Sequence, residues 1–168
     1  MRTRDTAARI ARAGEAPADQ VDVHLDALRE RQRILFNQKA ADMAVLLGTD
    51  ALTPPPSDLD IFGAQLEYLL RLATHPRLDI RLTPIVHAPD RPFTLTRTHN
   101  TTLAVIHTRR STLWFHRREE LDNLSRDIDR ARASALSPDD TITHITDTLQ
   151  RLRAENDHNT AYDLVRAG

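Results

Sequence analysis

The stretch from Phe93 to His116 constrains this chain more than any other. It divides into "FTLTRT", "TLAVIH" and "TLWFH", three runs of β-branched, aliphatic and aromatic residues separated by turn-like breaks at His99-Asn100 and Arg109-Arg110. Alternation with period two, broken at such short intervals, predicts a three-stranded antiparallel meander. Pairing around the two breaks puts Phe93, Leu95, Ala104, Ile106, Leu113 and Phe115 on one face, which is the expected core face. The other face then carries Thr94, Thr96, Leu103, Val105, His107, Thr112, Trp114 and His116, apolar bodies mixed with polar tips.

The remaining elements fall in place around this meander. Val21, Leu25, Leu28 and Leu35 recur at helical spacing and predict a helix from about Asp19 to Phe36. "MAVLLG", Met43 to Gly48, is a short continuous apolar run and reads as a central strand buried on both faces. Pro54 to Pro56 break the chain, and Ser57 is placed to cap a helix whose stripe is Leu59, Phe62, Leu66, Leu69 and Ala73. Leu78, Ile80 and Leu82 alternate with Asp79, Arg81 and Thr83 as in a half-buried strand. After the meander, Leu121, Leu124, Ile128, Ala131 and Ala135 form one helical stripe, and "SPDD" starts a second helix with stripe Ile142, Ile145, Leu149 and Leu152. The fold class is therefore α/β of the α+β kind: a mainly antiparallel sheet of about five strands with packed helices and a C-terminal helical hairpin covering it. The boundaries expected are an N-terminal arm over 1–18, one α+β domain over 19–153 and a loose C-terminal tail over 154–168, where apolar periodicity stops.

Composition narrows the chemistry. With 23 basic against 24 acidic residues in 168, the net charge of -1 does not suit a protein that blankets a polyphosphate. Cysteine is absent, which removes disulfides, thiolate metal sites and thiol nucleophiles, and fits a cytoplasmic protein. The N-terminus lacks an apolar signal core, and no apolar run approaches the ~20 residues that cross a bilayer, so no membrane partner is expected. Four dispersed glycines exclude a phosphate-cradling loop. His107 and His116 sit on adjacent strands without a third ligand at motif spacing, so no metal site and no cofactor are expected, and their remaining chemical use is as general acid and base.

The mixed meander face is the candidate site. Trp114, Thr94, Thr96, Val105, Leu103 and Thr112 have the make-up of a ligand pocket, and His87 in "HAPDRP" lies on a loop able to close over it. The alternative is a second core, with a helix over this face and the polar tips bonded to backbone.

"RQRILF" from Arg31, "MAVLLGTDAL", "AQLEYLLRLA", "LDIRLTPI", "RPFTL", "LAVIH" and "RARASALSPDD", in that order and spacing, resemble one family over about Thr6 to Leu152. It is the domain of unknown function that forms the C-terminal part of XRE-type helix-turn-helix, antitoxin-like transcriptional regulators. Two departures stand out: only the arm and one helix precede the first strand, too little for a helix-turn-helix, and "GTDAL" and Thr108 occupy places where the family tends to carry Glu. The resemblance implies a stand-alone ligand-sensing or protein-interaction module, not itself a specific DNA binder, with a small molecule or a protein as partner and a homodimer as one arrangement open to it. The runner-up is a small cofactor-independent biosynthetic enzyme, a cyclase or isomerase, using His107 and His116.

Overall fold

The computed structural model describes residues 3–13, 42–55, 58–89, 91–108 and 111–166, with helical positions 26, 30 and 33 between the first two segments. The helix expected over Asp19 to Phe36 lies outside these residues except at those positions, where Arg33 forks onto the Glu30 carboxylate one turn away. Helices run over Arg4–Ala13 (α1), Leu59–Ala73 (α2), Arg118–Ala133 (α3) and Pro138–Arg166 (α4), and strands over Met43–Gly48 (β1), Leu78–Thr83 (β2), Phe93–Arg97 (β3), Thr102–His107 (β4) and Thr112–Phe115 (β5). The α+β class is as the sequence implies. The five strands, however, make two sheets: a parallel pair β1-β2 and an antiparallel meander β3-β4-β5.

The chain forms two compact units, where one domain over 19–153 was expected. The first comprises Met1–Val45, Leu52–Ile80 and Pro138–Gly168. Its core is the face of α2 that buries Gln65, Leu66, Leu69 and Leu72, together with the face of α4 that buries Thr141, Ile145, Thr148, Leu149 and Leu152. The two helices pack on each other. Gly63 lies against this contact, 3.5 Å and 3.8 Å from Leu152 and Leu149 as measured from where a Cβ would stand. Buried threonines are tolerated in α4 because a helical hydroxyl returns its hydrogen bond to the preceding turn, as Thr148 Oγ1 does to the His144 carbonyl at 2.8 Å. The N-terminal arm is docked rather than frayed: α1 packs on α2, the Thr3 hydroxyl accepts from the Thr6 amide at 3.2 Å as an N-cap, and the Thr3 amide donates to buried Gln65 Oε1 at 2.7 Å. Ser57 is outside the described residues. Asp58 stands at the N-cap of α2 without a side-chain capping bond, its carboxylate paired with Arg9 instead.

Two further sequence expectations change. β1 is not buried on both faces: among the described residues it pairs with β2 alone, Met43 is exposed, and the rest of the strand is exposed or only half-buried. The segment after Arg153 is not loose, because α4 continues to Arg166. Among its described side chains, Arg153 Nη2 meets Glu67 Oε1 at 2.6 Å, and Asn156 Nδ2 donates to Asp60 Oδ1 at 3.2 Å.

The second unit comprises Leu46–Ala51 and Arg81–Ser137. Here α3 packs on β4, burying Leu121 and Ala131, with Ala104 of β4 fully buried. The C-terminal turn of α3 is secured by a buried side chain. Thr83 Oγ1 donates to the Ala131 carbonyl at 3.0 Å, one of the carbonyls that a helix end leaves without a partner. The Leu136 amide then bonds the Leu82 carbonyl at 2.8 Å, so the residues after α3 return to β2. The two C-terminal helices exist as expected, but α4 buries its stripe on α2 rather than on a sheet.

Candidate functional site

Residue pairing in the meander settles which side chains share a face. Phe93 pairs with Ile106, Thr94 with Val105, Leu95 with Ala104 and Thr96 with Leu103; on the other side of β4, Ala104 pairs with Phe115, Val105 with Trp114, Ile106 with Leu113 and His107 with Thr112. Both faces are thus composed as the alternation implies. The register is pinned at each turn by the same device. Thr98 and Thr108 each donate an amide to the carbonyl three residues on, of Thr101 and Ser111, at 2.8 Å, and their hydroxyls accept the returning amides at 3.1 and 2.9 Å. A Thr-x-x-Thr/Ser pattern around each break is the sequence signal for these turns, since the hydroxyl replaces the special backbone that Gly or Asn usually supplies.

The mixed face is largely exposed. Thr94, Thr96 and Thr112 are exposed, Leu103 and Val105 half-buried, and Trp114 is 62% exposed. It is an open surface with an indole standing on it. His107 pairs with Thr112 in the register, and His116, exposed, follows the end of β5. His87 is not brought here. It ends a 3-10 turn, Ile85–His87, and lines a hollow of 210 Å³ with Val86, Ala88, Pro89, Asp127 and Arg130. A neighbouring hollow of 500 Å³ runs along α3 between Asn123 and Arg130, where Arg126 bonds Asn123 and Arg130 pairs with Asp127, as on an ordinary solvated helix face.

Among the described residues no group of three or more His, Asp or Glu gathers as a metal site. Nor is any helix among them long and apolar enough to cross a membrane.

The whole-chain charge balance conceals a local imbalance. From Arg91 to Arg118 there are six arginines, at 91, 97, 109, 110, 117 and 118, and no Asp or Glu. With the chain at -1, everything outside this segment carries -7. Arg97 is turned toward α3, its Nη2 donating to Ser125 Oγ at 2.8 Å. Arg117 and Arg118 are exposed beyond β5, and Arg109 and Arg110 precede β5 in sequence. Counting charge by segment rather than by chain would have shown this basic frame.

The fold and this surface define a class: an α+β domain that presents an uncovered antiparallel meander with a single exposed aromatic. Residues 1–147 match the model of a domain of unknown function, DUF5753, and the chain belongs to that family. No curated protein and no solved structure matches the chain.

Proposed function

We propose that this chain is a protein-interaction module of regulatory type, akin to the regulatory domain of antitoxin-like helix-turn-helix transcription regulators, and that it engages its partner through the open meander face. The observation that carries this reading is Trp114, 62% exposed on a flat sheet beside Val105 and Leu103. A small molecule is usually held in a concavity that buries roughly 70–90% of it, whereas a flat face with one large amphipathic anchor suits a macromolecular partner. Leaving an indole in water forgoes burial worth about 2 kcal/mol, which a partner would recover. Acid–base catalysis by His107 and His116 has less support. His116 is exposed, and an open face does not exclude the water that weakens such chemistry. With a net charge of -1, we expect no sequence-selective retention of duplex DNA in a gel shift at ~150 mM salt.

The test is co-purification from the native cell with wild type and Trp114→Ala side by side, followed by reconstitution from purified components. A partner that binds wild type one to one, and at least about tenfold more weakly the variant, supports the reading, provided the two variants melt alike. Equal binding by both, or a Trp114→Ala protein that has simply unfolded while Trp114→Phe binds and melts as wild type, removes the meander face as the site.

A further inference from the structure

Resting on that reading, the geometry points to strand addition: we propose that the outer edge of β5 accepts an extended segment of a partner protein, apolar at its centre and rich in Asp and Glu at its ends. Among the described residues β5 is the last strand of its sheet. The Thr108 amide bonds the Ser111 carbonyl, which makes that pair hydrogen-bonded, and alternation then makes Ile106–Leu113 and Ala104–Phe115 the bonded pairs of the ladder. Trp114, opposite Val105, falls on the other phase, so its backbone amide and carbonyl are directed away from β4 at the open edge. Side chains agree with backbone: Leu113 on one face is 40% exposed and Trp114 on the other 62%, so an added strand would cover apolar surface on both sides of the sheet.

The opposite edge of the meander is guarded in ways β5 is not. β3 follows Pro92, ends in Arg97 and presents Thr94 and Thr96 to the open face, whereas β5, "TLWF", contains no charge and no proline. Polar, charged and proline-bounded edges resist pairing; an apolar edge left without such guards is a pairing surface. Charge identifies the occupant. Arginines at 109 and 110 precede the strand and arginines at 117 and 118 follow it, with no carboxylate between. A second copy paired antiparallel along β5 would set these arginines against their equivalents, so self-association is disfavoured and an acid-flanked strand is favoured. Single-stranded nucleic acid also seeks cations and aromatics, but it needs a platform for successive bases, and this face offers one ring with its cations at the rim.

The probe is a synthetic nonapeptide library with central Val, Ile and Thr and two or three acidic residues at each end, titrated against the whole chain with Trp114 emission as readout. Saturable binding is expected, weakened about tenfold or more by Arg117→Glu with Arg118→Glu and by raising salt from 50 to 500 mM. The double variant places carboxylates at the N-cap and first position of α3, where the helix dipole favours negative charge, and a thermal melt checks that it retains the fold. Peptides N-methylated at alternate residues separate strand pairing from simple charge attraction: methylation in one phase should abolish binding and in the other leave it nearly intact. Equal binding by both phases, tighter binding by lysine-flanked peptides, a dimer in sedimentation that occludes β5, or quenching of Trp114 by oligothymidylate in place of peptide each overturns the proposal. If no acidic peptide binds while a cellular partner is still lost on Trp114→Ala, the interaction reading stands and strand addition at β5 fails.

Discussion

Ile145 is the residue on which the first unit can be tested most directly. It is fully buried, at the centre of the α4 face that packs on α2, with Thr141 one turn before it and Leu149 one turn after. Ile145→Ala removes three carbons from an environment with no access to water. At about 0.8 kcal/mol per buried methylene the transfer cost alone is about 2.4 kcal/mol. A cavity cost is added because two packed helices close a gap only partly, which brings the expected loss to about 3–4 kcal/mol. Leu124→Ala, on the half-buried part of the α3 stripe, removes an equal number of carbons and should cost about half as much. Urea melts followed by far-UV circular dichroism measure both, and an unchanged slope would assign the difference to stability alone. A cost under about 1 kcal/mol for Ile145→Ala, or equal costs for the two variants, would mean that α4 is not docked on α2 through this face.

Three further outcomes follow from single contacts. Thr83→Val keeps the volume of a buried residue and removes the hydroxyl that bonds the Ala131 carbonyl; because Ser134 Oγ also donates there at 3.1 Å, the variant should lose only about 1 kcal/mol, and Thr83→Val with Ser134→Ala should lose more than the sum of the two in a double-mutant cycle of urea melts. Gly63→Ala should raise stability by about 0.5–1 kcal/mol, since a methyl fits at ordinary contact distance from Leu152 and Leu149 and a mid-helix glycine is replaced; a lower thermal midpoint would show that α2 and α4 lie closer than described. Burial pushes the Tyr68 phenol up from its usual range, with Arg71 beside it pulling less strongly the other way. The folded protein thus favours the neutral phenol, so its contribution is complete below pH ~10 and is lost as pH rises through the raised folded value, which tyrosinate absorbance in wild type and Tyr68→Phe will register.

The meander was legible because its alternation admits one pairing that separates Phe93, Leu95 and Ile106 from Thr94, Thr96 and Val105, and a slip of one residue would mix them. Turn chemistry reinforced this through Thr98 and Thr108. The errors have different physical origins. "MAVLLG" has no periodicity, so nothing in it distinguishes a strand enclosed on both faces from one paired on a single side. The continuation of α4 past Arg153 was hidden because its described anchors there are Arg153 and Asn156 reaching Glu67 and Asp60, polar contacts that leave no apolar stripe. Stripes in α3 and α4 announce that each helix buries a face but not against what, and only the folded chain sends one to β4 and the other to α2. The same limit applied to the site: a mixed face in sequence is compatible with a pocket, a core or a docking surface, and only the fold shows that Trp114 stands exposed on it.

The exposure of Leu113, on the face opposite Trp114, follows from the width of the helix that covers that face. A helix with its side chains is about 10–12 Å across, while neighbouring strands are about 4.8 Å apart, so one helix centred on the middle strand shields that strand fully and its neighbours only in part. The burial runs in this order. Ala104 on β4 is fully buried and small enough for a close approach, Leu95 and Phe115 at the flanking pair positions are half-buried, and Leu113, on the covered face of β5, is still 40% exposed. β5 therefore shows apolar surface on both faces: α3 packs on β4 and covers Leu113 only in part, Trp114 stands exposed on the opposite face, and the described meander continues no further than β5. Widening the cover or adding a strand would each relieve it. Of these, only the added strand would also pair the backbone groups of Trp114, which is why the proposed partner is an extended segment rather than a wider cover.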